Sequence, residues 1–173
     1  MLDFKGNESI PSTKRGCKGQ YELRVEQACR SCTNIKNRQT KARDAGLEII
    51  ERIIEKEDLL KNKILVIRIP EAESQKINKN ITGLIANILM DKYQKPTLIL
   101  RPCRNPETNV LSWEGSGRGL SDSDFDNFKE FLTNLEEVEY GQGHANAFGV
   151  GILDEHFDEF IKVSNEILAN FDF

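Results

Sequence analysis

Apolar positions along the chain fall into blocks with different periods. From Tyr21 to about Glu57, Val25, Ala28, Cys29 and Cys32, then Ala42, Ala45, Ile49, Ile50, Ile53 and Ile54, recur at three- and four-residue steps, which predicts one long helix or two in series. The apolar stripe is narrow and Thr33–Arg38 is polar, as suits a connector lying along a domain rather than a buried core helix. Before this block, Gly6, Pro11, Gly16 and Gly19 break any periodicity, so residues 1–20 read as a flexible segment. After it the pattern changes. Lys63–Ile69, closed by Pro70, reads as a strand, and Ile81, Leu84, Ile85, Ile88 and Leu89 form an amphipathic helix ending near Tyr93. Thr97–Arg101, Val110 to about Gly117 and Ala147–Ile152 read as further strands, with a short extended segment near Val138–Tyr140. Phe125, Phe128, Phe131, Leu132 and Leu135 mark a helix that Asp122 or Ser123 would cap, and Phe157, Phe160, Ile161, Ile167 and Leu168 mark the last one.

Strands alternating with helices imply an α/β fold: a mixed sheet of about five strands flanked by helices, preceded by a long connector helix. The expected divisions are a segment 1–20, a basic connector 21–61 and an α/β domain 62–173. At 173 residues this is one domain plus an extension, long enough to bury a core. No apolar run approaches the roughly 18 residues that a membrane span needs, and no apolar stretch follows Met1. A cytoplasmic protein without membrane attachment is therefore expected.

The net charge of −4 conceals two opposite fields. Between Pro11 and Arg43 nine basic residues face only Glu22 and Glu26, whereas from Ser121 onward thirteen acidic residues face Lys129 and Lys162. A polyanion is drawn to the first segment and repelled by the second. Cys29-Arg-Ser-Cys32 is a single CxxC which, with Cys17, hints at zinc, but a structural zinc site wants two such pairs and no second pair exists. On a helix that spacing simply puts both thiols on one face. Asp122, Asp124 and Asp126 alternate as metal ligands can, yet they precede a helix, where acidic residues favour the N-terminal dipole.

Two glycine-rich stretches, read as loops, carry most of the chemistry. In Trp113-Glu-Gly-Ser-Gly-Arg-Gly119, the Ser116 hydroxyl and Arg118 guanidinium stand two residues apart at a strand end and suit one phosphate between them. In Gly141-Gln-Gly-His-Ala-Asn-Ala-Phe-Gly149, small residues would expose backbone N–H groups as an anion nest with His144 at its lip. Trp113 and Tyr140 flank these stretches, as stacking platforms for bases or as core aromatics.

Taken in order, Gly115-Ser-Gly-Arg118, a helix, Gly141-Gln-Gly-His-Ala-Asn-Ala147 and Gly149 resemble the DHH-associated domain of RecJ-type single-strand-specific exonucleases. The Gly83-Leu-Ile-Ala86 helix followed by Lys95-Pro-Thr-Leu-Ile-Leu100 fits the same family, and Cys32–Gln39 resembles the connector between its two lobes. The resemblance spans about Gln27 to Phe171. It implies a lobe that grips single-stranded DNA for 5′→3′ hydrolysis, with Ser116, Gly117, Arg118, Gly143, His144 and Asn146 binding substrate and His144 touching the scissile phosphate. Arg38, Lys41, Arg101 and Trp113 are further candidate nucleic-acid contacts. Gln142 and Phe148 depart from the family pattern, which has Gly and a small residue there. The family draws Mn²⁺ or Mg²⁺ ligands from an Asp-His-His lobe that this sequence lacks, so no metal is expected in this chain and the missing lobe is an expected partner, in the same gene or another chain. A protein-interaction module, or the substrate lobe of an oligonucleotide or cyclic dinucleotide phosphodiesterase, are the alternatives.

Overall fold

The computed structural model describes residues 5–120 and 127–171. Two compact units divide the chain between Lys41 and Ala42.

In the first unit, β1 (Ser9–Pro11) pairs antiparallel with β2 (Tyr21–Leu23), and α1 (Arg24–Lys56) follows at once. The stretch read as a structureless segment therefore contains a strand, and the helix begins three residues later than its periodicity implies. Side chains hold this hairpin rather than an apolar core. Arg30 forms an ion pair with Glu22 and donates to Thr13 Oγ1 at 3.2 Å, while Gln27 Nε2 donates to Glu22 Oε1 at 3.2 Å. These bonds hold the Glu22 carboxyl down at about 2, chiefly through Arg30. No residue of α1 before Gly46 is buried, so Val25, Cys29 and Cys32 lie exposed.

In the second unit a five-stranded mixed sheet has the order β3-β4-β5-β7-β6, made of β3 (Leu65–Arg68), β4 (Thr97–Arg104), β5 (Leu111–Arg118), β6 (Val138–His144) and β7 (Ala147–Leu153). β3 and β4 run parallel, joined through the short α2 (Glu71–Ser74) and α3 (Thr82–Tyr93), and every other pairing is antiparallel. Pro102 continues β4 beyond its expected end. It pairs with Trp113 on one side, and on the other β3 has already stopped at Arg68, so its missing N–H breaks no ladder.

Each face buries its own core. On one, Leu65, Ile67 and Ile99 meet Ile50 and Ile54 of α1 and Ile85 and Leu89 of α3. On the other, Val66, Leu98, Leu100, Val150 and Ile152 meet Phe128 and Leu132 of α4 (Phe128–Thr133) and Phe157, Phe160 and Leu168 of α5 (Phe157–Leu168). The β3 run is apolar at successive positions because both of its faces are covered. The cap of α4 is Asn127, whose side chain accepts from the Glu130 amide at 3.1 Å, rather than Asp122 or Ser123. Those two, with Asp124, Phe125 and Asp126, lie outside the described residues.

Candidate nucleic-acid interface

The strands read at Val110 to about Gly117 and at Ala147–Ile152 are present as β5 and β7, so the glycine-rich stretches read also as loops are largely strand, and the segment near Val138–Tyr140 extends through His144 as β6. Residues 115–118 complete β5, and residues 141–144 complete β6, which turns through Ala145 and Asn146 directly into β7. The anion nest expected at 141–149 is thus a hairpin, in which Gly143 alone takes a positive φ, of 126°. A strand has period two, so alternate residues share a face. Paired rows across β5, β7 and β6 read Arg118–Ala147–His144, Ser116–Gly149–Gln142 and Glu114–Gly151–Tyr140. Ser116, Arg118 and His144 therefore lie on one face, although the sequence separates the last two by 26 positions.

This face is a trough. Its floor is the column Ala147, Gly149 and Gly151 on β7, and its walls are the polar side chains of β5 and β6. Gly149 shows that the floor is open. A Cβ built there meets only two backbone oxygens, of Gly115 at 3.7 Å and Gln142 at 3.8 Å, and no side chain of the described residues within 4 Å. Neither packing nor backbone angle demands a glycine at this position. The opposite face is full, and a Cβ on Gly117 would stand 2.6 Å from the Phe148 ring. Gly117 therefore serves packing, and so does Phe148, whose ring fills the space that the missing side chain leaves.

On the β5 wall the first turn of α3 closes in. Thr82 Oγ1 and Ser116 Oγ share a hydrogen bond of 3.0 Å, and Thr82 also donates to the Lys79 carbonyl at 2.9 Å. The Arg118 guanidinium lies against Gly83, where a Cβ would come within 2.5 Å of Nη2. It donates from Nη1 to the Gly117 carbonyl at 2.7 Å and pairs with no carboxylate of the described residues. Burial lowers its pKa from the ordinary arginine value. A partly desolvated cation without a counter-ion gains more from an arriving anion than a fully hydrated one does. Across the trough, His144 and Gln142 are exposed.

The remaining candidates have other duties. Asn146 is the joint of the site: its side-chain oxygen accepts from the Phe128 amide at 3.2 Å and its carbonyl from the Gly119 amide at 3.1 Å, tying the β6–β7 turn to the ends of β5 and α4. Lys129 adds a bond from Nζ to the Gly143 carbonyl at 2.9 Å. Arg101 donates to the Ile77 carbonyl at 2.9 Å and to the Ser74 carbonyl, so its fork is committed to the loop before α3. Trp113 does not join the trough. It points to the other face, packs on Phe157 with centroids 6.1 Å apart, and donates from Nε1 to Asp154 at 2.6 Å. Arg38 and Lys41 belong to the first unit, where with Asn34 and Asn37 they line a shallow hollow of about 390 Å³ on α1. Sequence reasoning does not single out Thr82, Gly83 or Gln142 as site residues. Reading Glu114-x-Ser116-x-Arg118 and Tyr140-x-Gln142-x-His144 as alternating strands would have found the Gln142 wall.

Among the described residues no three His, Cys, Asp or Glu side chains gather as metal ligands, so they do not fit a two-metal centre. Nor is any helix of the described residues long and apolar enough to cross a membrane.

No protein-family model matches the chain. Over 161 residues, 92% of its length, the chain is 35% identical to the YorK protein of the SPbeta prophage in Bacillus subtilis (strain 168), whose name describes a single-strand DNA-specific exonuclease. The corresponding protein of Bacillus phage SPbeta matches equally, and the chain spans 27% of the length of each. Among solved structures, RecJ of Thermus thermophilus in complex with Mn²⁺ aligns with 87% of the chain at a TM-score of 0.59 and 18% identity, over 20% of its own chain. A manganese-bound exonuclease RecJ aligns with 86% at 0.57 and 16% identity, over 34% of its own chain. The structural likeness establishes a shared fold.

Proposed function

We propose that this chain, RecJ-like in sequence and in fold, is the part of a single-strand-specific exonuclease that holds the DNA strand, and that hydrolysis depends on a metal centre supplied by an Asp-His-His lobe. The observation that carries the reading is the open floor at Gly149. A glycine with no internal reason to be one, walled by Ser116, Arg118, Gln142 and His144, suits a backbone that must come close to the sheet.

The chemistry follows from the walls. A phosphate entering over Ala147 meets the Arg118 fork from one side and the His144 imidazole from the other. Arg118 gives charge-assisted hydrogen bonds, and Ser116, one row further along, donates to Thr82 in the free chain and reaches a phosphate by turning its O–H away from Thr82. None of these contacts reads a base, so the grip is independent of sequence, as an exonuclease that advances along a strand requires. The acidic residues concentrated after Ser121 repel DNA from the rest of the unit and confine it to the trough.

The test is a fluorescence-anisotropy titration of single-stranded oligonucleotide with the purified chain, with and without Mn²⁺. Salt-sensitive binding without hydrolysis is expected. Absence of binding at low salt would overturn the assignment, and Mn²⁺-dependent cleavage would overturn the need for a separate catalytic lobe.

A further inference from the structure

The same trough has a second end, and what it offers rests on the strand-holding reading above. Two rows from Arg118–Ala147–His144, about 13 Å along the strands at their usual rise, lies the row Glu114–Gly151–Tyr140. There the tyrosine ring lies over Gly151: a Cβ on that glycine would fall 2.2 Å from Cε1 and 2.8 Å from Cζ. The ring thus reaches from β6 across β7 toward the Glu114 wall, and burial, with Glu114 nearby, raises the Tyr140 pKa. A register shift between Val138 and Tyr140 leaves Glu139 as the extra residue of a bulge, and this sets Tyr140 in the Gly151 row. The tyrosine is only half-buried. At this end a cavity of about 470 Å³ opens, lined by Glu139, next to Tyr140 in the chain, and by Glu114 across β7, with Arg104, Thr108 and Ser112 among others.

Charge decides what this end takes. Glu114 and Glu139 form no ion pair with the described residues, and against the single cation of the lining, Arg104, two carboxylates leave this end net negative and disfavour a phosphate. A base meets no such barrier: its amino and ring N–H groups donate to carboxylates, and its π face stacks on an aromatic ring whatever its identity. An anion grip at one end and an aromatic ring with carboxylates at the other match the alternation of phosphate and base along a single strand. We infer that Tyr140 and the cavity at this end form a nucleobase subsite, in which a base of the held strand stacks on the Tyr140 ring and turns its hydrogen-bonding edge toward Glu139 and Arg104.

Oligonucleotides that carry 2-aminopurine, and matched ones with abasic positions, test this with the full chain. Binding is expected to quench 2-aminopurine. Tyr140→Ala is expected to relieve the quenching and weaken binding by about 5- to 100-fold, while leaving affinity for the abasic strand unchanged. Tyr140→Phe, which keeps the ring and loses only the hydroxyl, should quench as the unaltered chain does. Should Tyr140→Ala not fold, judged by its circular dichroism melt, Tyr140→Leu keeps the apolar volume over Gly151 and should still abolish quenching. Quenching and affinity unchanged in the folded alanine or leucine variant would overturn the subsite while the strand-holding reading stood. Failure of the unaltered chain to bind either oligonucleotide would overturn both.

Discussion

Arg118 and His144 flank Ala147, which pairs with each of them, so both side chains rise from the same face about 10 Å apart at the usual strand spacing. That gap is wide for direct contact and suits one phosphate between a guanidinium and an imidazole. Replacing both residues by alanine should therefore weaken oligonucleotide binding by at least about tenfold, since hydrogen bonds to charged groups contribute about 1.5–3 kcal/mol each. The slope of log affinity against log salt should also become shallower, because fewer counterions are released. An unchanged slope in an anisotropy titration would remove Arg118 from the phosphate contacts.

Gly149 and Gly151 stand two residues apart on β7 and should respond in opposite ways. A Cβ on Gly149 finds ordinary contact distances in an extended strand, so Gly149→Ala should leave the melting temperature unchanged or raise stability by about 0.4–1 kcal/mol through the unfolded chain. Gly149→Leu, which fills the trough, should abolish strand binding without unfolding the chain. Gly151→Ala drives a methyl into the Tyr140 ring and should cost about 1–3 kcal/mol. Thermal melts beside binding titrations separate the two glycines.

Trp113 is the chain's single tryptophan, and it packs against Phe157 on the side away from the trough. Its intrinsic emission should stay constant as oligonucleotide is added, even at saturation reported by a labelled strand. Trp113→Ala should instead lower stability by about 3–5 kcal/mol, or less to the extent that the half-buried ring is already hydrated.

The β1–β2 hairpin should be acid-labile. Its Glu22 carboxyl titrates at about 2 when folded against 4.5 for a free glutamate, with the Arg30 bond as the leading cause. A depressed carboxyl stabilises the folded state fully above the unfolded value and loses that contribution as pH falls through the folded one. Amide exchange across Ser9–Leu23 should thus be constant above about pH 5 and quicken between about 4.5 and 2. Arg30→Ala should move the onset toward the higher end of this window. Exchange that is flat with pH in the unaltered chain, after correction for intrinsic rates, would refute the coupling.

Where each face of an element is covered, its pattern was readable. The apolar run before Pro70, the helix through Ile85 and Leu89, and the last helix with Phe157 and Phe160 all sit where periodicity places them, because burial and period are two views of one constraint. The glycine-rich segments misled for the converse reason. The end of β5 carries Gly117 against Phe148, and β6 carries Gly141 against the Thr133 and Lys129 side chains of α4 and Gly143 at a positive φ, so these stretches lack the branched residues that announce a strand and read as loops. Similarly, Ser9–Pro11 is too short and too polar for periodicity to register, and it is held by its ladder to Tyr21–Leu23 and by Gln27, which donates to the Pro11 carbonyl at 3.4 Å.

From sequence alone came the α/β class, the long basic helix, the residue types proposed to hold a phosphate and the RecJ likeness, since each depends on local composition or on motif order. Only the folded sheet decided that Arg118 and His144 share a face, that Trp113 does not, and that Arg101 is already spoken for. Those facts depend on strand register, which long-range pairing sets, and in a strand a shift of a single residue sends every side chain to the other side.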